Sequence, residues 1–185
     1  MLYRVFPYRD GAGPLDDGGP LHIARALQGT GRHDNPDRYG ALYASRVPEA
    51  AVAERLAAFR GQEVANADLV SAGGRPYALA EVDDDRLSPL VDLDDPAQLL
   101  RRALRPSRVA TRDRAVTQPE ALAIFEEGAA GLAWWSTLES AWTNVTLFAE
   151  RAVPLLRVGT DPTPLTLDAP VVRAAAEAVG VRLGR

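Results

Sequence analysis

Strand-like and helix-like stretches follow one another along this chain without the regular alternation that a doubly wound sheet requires. That irregular order predicts an α+β fold with mixed central sheets and flanking helices. Residues 2–6 read as an opening strand, and 10–20, rich in Gly, Asp and Pro, as a flexible loop. A short helix is expected over 21–28, ended by Gly29, and an ordered loop over 30–40. Further strand candidates are 41–45, 67–71, 75–82, 132–135, 145–149 and 154–158, with Gly73-Gly74 placed to turn a hairpin. Pro48 opens a helix near 48–60, because proline's missing N–H costs nothing in a first turn. Val52, Leu56 and Phe59 recur there at helical spacing as a buried stripe. Glu54 lies about 200° from Val52 round the helix, off that stripe. Asp94 or Asp95 is placed to cap a helix from Pro96 to about 104. Thr117-x-x-Glu120 forms a capping-box pattern before a helix ending near Gly128. Asp168 precedes a last helix over 170–179, with Gly180 as its stop.

Length and composition set the bounds. The 185 residues, 46% of them apolar, suffice for one domain with a sizeable core. With no internal repeat or composition break, a single domain over 1–185 is expected. No apolar run approaches the roughly 18 residues that span a membrane. The N-terminus lacks the apolar stretch of a secretory signal, so a cytoplasmic protein is expected. Cysteine is absent and the histidines are two, His22 and His33, which argues against a metal centre. All 21 basic residues are arginine, so lysine supplies neither a catalytic amine nor a phosphate clamp. A net charge of −4 with no evident basic block is a poor footprint for nucleic acid, and no direct nucleic-acid binding is expected. Asp83-Asp84-Asp85 reads as a solvated loop, since adjacent carboxylates point apart unless a turn gathers them.

Several residues are candidates for chemistry, each with a plain structural reading beside it. Arg32, after Gly31 in the ordered loop, can grip a phosphate with two parallel bonds, or be one surface arginine among many. Tyr43 offers a flat face for an aromatic ring, or is a core tyrosine with its hydroxyl satisfied. Glu54 can stabilise cationic charge at a sugar carbon, or be a solvated helix residue. Glu49, the secondary candidate, has a sufficient role at the start of its helix, where a carboxylate complements the dipole. Ser136 lies in no nucleophile elbow, so it reads as a hydrogen-bond donor to substrate rather than a nucleophile. His33 can reach a substrate or be a loop histidine bonded to water. Trp134 and Trp135, adjacent on a strand, point to opposite faces, which leaves one for a cleft, a partner or an edge.

In order and spacing these residues form a pattern. Gly31-Arg32-His33, then Leu42-Tyr43, then an Ala-rich helix reaching Glu54, then Thr117-Gln118, Gly131-Leu132, Ser136 and a strand ending Leu147-Phe148 together resemble the RES domain, a family named for its arginine, glutamate and serine. The resemblance covers about 2–160. His33 stands where the family commonly has Trp, Phe or Tyr, and Trp134-Trp135 where it commonly has a smaller or Pro-containing pair. The resemblance implies an ADP-ribosyltransferase-like domain that consumes NAD as substrate, without a cofactor or metal. It implies cleavage of the nicotinamide–ribose bond by hydrolysis or phosphorolysis, as the toxin of a toxin–antitoxin pair whose antitoxin is an Xre-like helix-turn-helix protein. On it, Arg32 grips the pyrophosphate, Tyr43 walls the nicotinamide, Glu54 stabilises the oxocarbenium-like charge, and Ser136, with His33 nearby, holds the ribose or the nicotinamide amide. Transfer of ADP-ribose to a protein, or a RES fold kept for interaction without catalysis, are the alternatives. Family members often form homodimers, which an exposed tryptophan and the apolar last helix would suit.

Overall fold

The computed structural model describes residues 1–87 and 89–184. The first half of the chain builds β1 (Leu2–Pro7), β2 (Ala41–Ser45), α1 (Pro48–Leu56), β3 (Glu63–Val64), β4 (Tyr77–Asp83) and β5 (Val91–Asp92). The second builds α2 (Pro96–Arg101), α3 (Pro106–Ala110), α4 (Arg114–Glu126), β6 (Gly131–Trp135), β7 (Thr143–Phe148), α5 (Ala149–Ala152), β8 (Arg157–Val158), β9 (Thr163–Pro164), α6 (Pro170–Val179) and β10 (Arg182–Leu183). The α+β class is as expected. The chain forms two compact units, Met1–His22 with Ala44–Asp83 and Arg157–Arg185, and Ile23–Tyr43 with Asp84–Leu156. No described helix is long and apolar enough to cross a membrane.

In the first unit β4 runs antiparallel to β1, from Leu2 opposite Val82 to Pro7 opposite Tyr77. Strand period two buries Ala78, Ala80 and Val82 and leaves the alternate residues half-covered. Helix α1 starts at Pro48, as its proline requires, and continues as a 3-10 turn to Phe59. Its buried face is Ala50, Ala51, Val52, Ala53 and Leu56, small enough for α6 to pack closely against it. α6 contributes Val172, Ala175, Ala176 and Val179. The apolar stripe of this last helix is thus covered by α1 within the unit. Asp168 does not cap it. Ala169 occupies the cap position, and Asp168 instead accepts from Arg173 at 2.6 Å.

In the second unit the strand order is β5-β6-β7 followed by Ala41–Tyr43 of β2. β6 and β7 are antiparallel, with Gly131 opposite Leu147 and Trp135 opposite Thr143, whereas β5 is parallel to β6, so the sheet is mixed. Gly131 must be glycine, because a Cβ there would stand 2.4 Å from the Thr146 carbonyl oxygen. Tyr39, Leu104, Val109, Ile124, Leu132, Trp134 and Phe148 form the core. Phe148 meets Tyr39 at 4.5 Å and Phe125 at 5.3 Å between ring centroids.

Four local expectations fail for identifiable reasons. Residues 21–28 make only a 3-10 turn, Arg25–Leu27, with no residue buried, so nothing packs to sustain a helix. The first arm of the 67–82 hairpin is a 3-10 turn, Asn66–Leu69, followed by the single bridge Val70–Pro76. Residues 153–155 are likewise a 3-10 turn before β8. The Thr117 capping box is absent. α4 begins four residues earlier, where Asp113 Oδ1 accepts the Ala115 N–H at 2.9 Å, and Thr117 is buried inside the helix.

Candidate functional site

The loop from Gly29 to Asn35 is held from both sides by side chains of the second unit. On one side stands Asp34, 5% exposed. Its Oδ2 accepts the N–H groups of Gly29 at 2.8 Å and Gly31 at 2.7 Å. Its Oδ1 accepts the hydroxyl proton of Tyr43 at 2.7 Å. The Tyr43 oxygen accepts the His33 N–H at 2.9 Å. Burial, then the bond to Asp34, push the Tyr43 hydroxyl well above the ordinary phenol range. Gly31 has no room for a side chain, since a Cβ would lie 2.5 Å from Asp34 Oδ1 and 2.6 Å from the Tyr43 oxygen.

From the other side α4 clamps the same loop. Thr117 Oγ1 donates to the Arg32 carbonyl. Gln118 Nε2 donates to the carbonyls of Gly29 and Gly31, each at 3.0 Å. Asn35 Nδ2 donates to the Gln118 carbonyl at 3.0 Å and to the Tyr39 oxygen at 2.8 Å. Tyr39 donates onward to the His33 carbonyl at 2.7 Å. Burial raises the Tyr39 hydroxyl to about 12. Gly31-Arg32 and Thr117-Gln118, far apart in sequence, are therefore one hydrogen-bonded assembly. Every backbone carbonyl from Gly29 to His33 except that of Thr30 accepts from a side chain of this assembly, and Thr30 accepts from Arg114 Nε at 2.8 Å. Such a loop presents Arg32 from a fixed backbone.

Arg32 is half-buried. Its Nη1 donates to the carbonyls of Val109, at 3.0 Å, and Thr111, which aims the guanidinium along the end of α3. His33 is 4% exposed. Its partner is not water: Nδ1 bonds Thr146 Oγ1 at 2.8 Å, and the ring meets Trp134 edge-on, 4.6 Å between centroids. Burial, then the charges of Arg32 and Arg114, hold its pKa down to about 3. The imidazole is thus a neutral aromatic of the interior. Because the unfolded chain carries this group near 6.5, it binds a proton that the native state refuses between those values. The stability contributed by the neutral ring is complete above about pH 6.5 and drains as pH falls toward about 3. Urea midpoints measured from pH 7 to pH 4 should fall less in His33→Gln than in the parent. Equal slopes would refute the assignment.

Ser136 follows β6 and is 2% exposed. Its N–H donates to the Trp142 carbonyl at 2.7 Å, and its Oγ accepts the Leu138 N–H at 3.1 Å. Trp134 is buried, while Trp135 is half-buried against the same core. Ser136→Ala removes the bond to the Leu138 N–H, a neutral hydrogen bond worth about 0.5–1.5 kcal/mol, and is expected to slow the reaction proposed below while leaving measurable activity. A covalent ADP-ribosyl adduct trapped on Ser136, with activity abolished in the alanine variant, would contradict this.

Glu54 belongs to the first unit and is exposed on α1, whereas Glu49, in the first turn of that helix, is half-buried. Of Asp83–Asp85, Asp84 is 9% exposed and so not a solvated carboxylate. A small, mostly apolar pocket beneath α3 and α4 is lined by His33, Arg108, Thr117, Glu120 and Ile124 among others. Of the candidate residues only His33 reaches it. Asp34 and the clamping roles of Asn35, Tyr39, Gln118 and Thr146 went unread in the sequence. The one local signal for Asp34 is an aspartate three residues after a glycine in a loop, the spacing of an Asx-type turn.

A clamped Gly-Arg loop inside a mixed-sheet α+β fold defines the class, and comparison with known proteins gives the family. The family described as RES domain matches residues 1–168, and the chain belongs to it. A chain from the crystal structure of the M. tuberculosis MbcT-MbcA toxin-antitoxin complex has the same fold. The TM-score is 0.60 at 20% sequence identity, with 97% of this chain and 88% of that chain covered. No curated protein matches the sequence.

Proposed function

We propose that this protein cleaves NAD at the nicotinamide–ribose bond, with water or phosphate as acceptor, and serves as the toxin of a toxin–antitoxin pair held in check by an Xre-like helix-turn-helix antitoxin. The observation that carries the reading is the joining of Gly31-Arg32 to Thr117-Gln118, which fixes the arginine of the family pattern on a loop with almost no slack. Family membership and the fold shared with a chain of a toxin–antitoxin complex support it. The chemistry asks little of the protein. The C1′–N bond breaks, and its electron pair neutralises the pyridinium, so no general acid is needed at departure. Charge develops at the ribose carbon, which a carboxylate can stabilise, and Glu54 is the glutamate of the family pattern. The acceptor oxygen then bonds C1′ and sheds its proton. Arg32 holds the pyrophosphate, Tyr43 borders the nicotinamide, and Ser136 positions substrate.

Incubation of the purified protein with NAD should release free nicotinamide. Release accompanied by radiolabel retained on a protein would instead assign ADP-ribosyl transfer. Neither signal, with partner binding intact, would assign a non-catalytic role. Arg32→Ala is expected to weaken NAD binding about 10- to 150-fold, the loss of one charged contact worth about 1.5–3 kcal/mol. Calorimetric affinity equal to that of the parent would remove Arg32 from the phosphate site.

A further inference from the structure

Six of the 21 arginines fall between Arg101 and Arg114, against one aspartate, Asp113. The segment is a basic block after all, in a chain of net charge −4, so the remainder is strongly acidic. It runs from the end of α2 through α3 into α4, and the fold sorts its residues by type. Leu104 and Val109 turn inward and join the core of the second unit. Arg101, Arg105, Arg108 and Arg112 are exposed. Leu100 is 82% exposed, and α2 buries no residue at all. Two arginines of the block already hold carboxylates, Arg102 gripping Glu127 with both terminal nitrogens and Arg108 reaching Glu120 at 2.9 Å. Arg105 and Arg112 form no side-chain ion pair among the described residues.

We propose that this arginine-faced segment is a docking surface for an acidic segment of a partner protein, with Leu100 as its apolar contact. Charge complementarity selects the occupant. Guanidinium forks match carboxylates in the bidentate manner that Arg102 and Glu127 show. A nucleic acid fits less well, because a long phosphate backbone finds few arginines here and is opposed by a chain whose net charge is −4. The segment also borders the clamped loop: the Val109 and Thr111 carbonyls receive Arg32, and Arg114 holds the Thr30 carbonyl. A partner seated here would lie beside Arg32. The docking itself is independent of the NAD reading, since binding is measured without NAD.

The test uses the full chain and a short fluorescein-labelled peptide of glutamates around one leucine, followed by anisotropy. The parent should bind, and binding should weaken steeply as salt shortens the Debye length from about 10 Å to about 3 Å. The double variant Arg105→Glu/Arg112→Glu should bind about tenfold or more weakly, two attractive rim contacts having become repulsive. The control Arg157→Glu/Arg182→Glu changes net charge equally at exposed positions outside the segment and should bind like the parent. Thermal unfolding of each variant shows that it is folded. Equal weakening by both double variants, or none by the first, would overturn the proposal. So would an oligonucleotide of matched charge that binds more tightly than the peptide and depends on Arg105 and Arg112.

Discussion

Glu54→Gln is expected, under the proposed NAD cleavage, to lower the turnover rate by about 10²–10³-fold, the usual cost of removing one preorganised electrostatic stabiliser, while NAD affinity and thermal stability stay near those of the parent. The substitution keeps the shape of the side chain and removes its charge. Glu54 is exposed on α1, outside the buried face of Ala50, Ala51, Val52, Ala53 and Leu56, and substitutions at exposed positions usually stay within about 0.5 kcal/mol. Glu49→Gln provides the contrast. That residue sits in the first turn, where its charge complements the helix dipole by about 0.3–1 kcal/mol, so its loss should lower stability slightly and leave the rate unchanged. The measurement is a pair of turnover curves with calorimetric NAD affinities beside them. An inactive Glu49→Gln with an active Glu54→Gln would transfer the catalytic carboxylate to Glu49. Inactivity accompanied by loss of NAD affinity in Glu54→Gln would make Glu54 a binding residue instead.

Elements with enough residues to show a period were legible. β1, β2, β4, α1 and α6 fall close to where alternation, helical spacing, Pro48, Pro170 and Gly180 put them. β3, β5, β8, β9 and β10 have two residues each, and two residues carry no period; their neighbours in space, not their composition, make them strands. Thr117 shows how a local rule loses to a tertiary one. Thr-x-x-Glu satisfies the capping pattern, yet Asp113 caps α4 and frees the Thr117 hydroxyl for the Arg32 carbonyl. His33 and Trp134 show a contact that the sequence does not announce: about a hundred residues apart, the two rings meet edge-on at 4.6 Å in the close-packed interior.

The network around Arg32 was the least legible part, because its members are spaced irregularly and its hub, Asp34, looks in sequence like any loop carboxylate. The structure makes it the residue on which the loop depends for shape. Asp34→Ala would strand three donors at once, the N–H groups of Gly29 and Gly31 and the Tyr43 hydroxyl, in a place where Asp34 itself is 5% exposed. A stranded buried donor costs about 1–3 kcal/mol, and partial access of water to the loop offsets some of the sum. A loss of about 3–5 kcal/mol in urea unfolding is therefore expected. Asp34→Asn separates charge and shape from mere presence. Its single amide oxygen can accept the two glycine N–H groups, but the amide nitrogen then faces Tyr43, whose proton loses its acceptor, so the loss should be about half as large. Under the NAD reading both variants should bind NAD more weakly in step with their loss of stability, since Arg32 is presented by the backbone that Asp34 fixes. If Asp34→Ala unfolds within about 0.5 kcal/mol of the parent, where ordinary surface substitutions fall, the loop is held by Thr117 and Gln118 alone and Asp34 is dispensable.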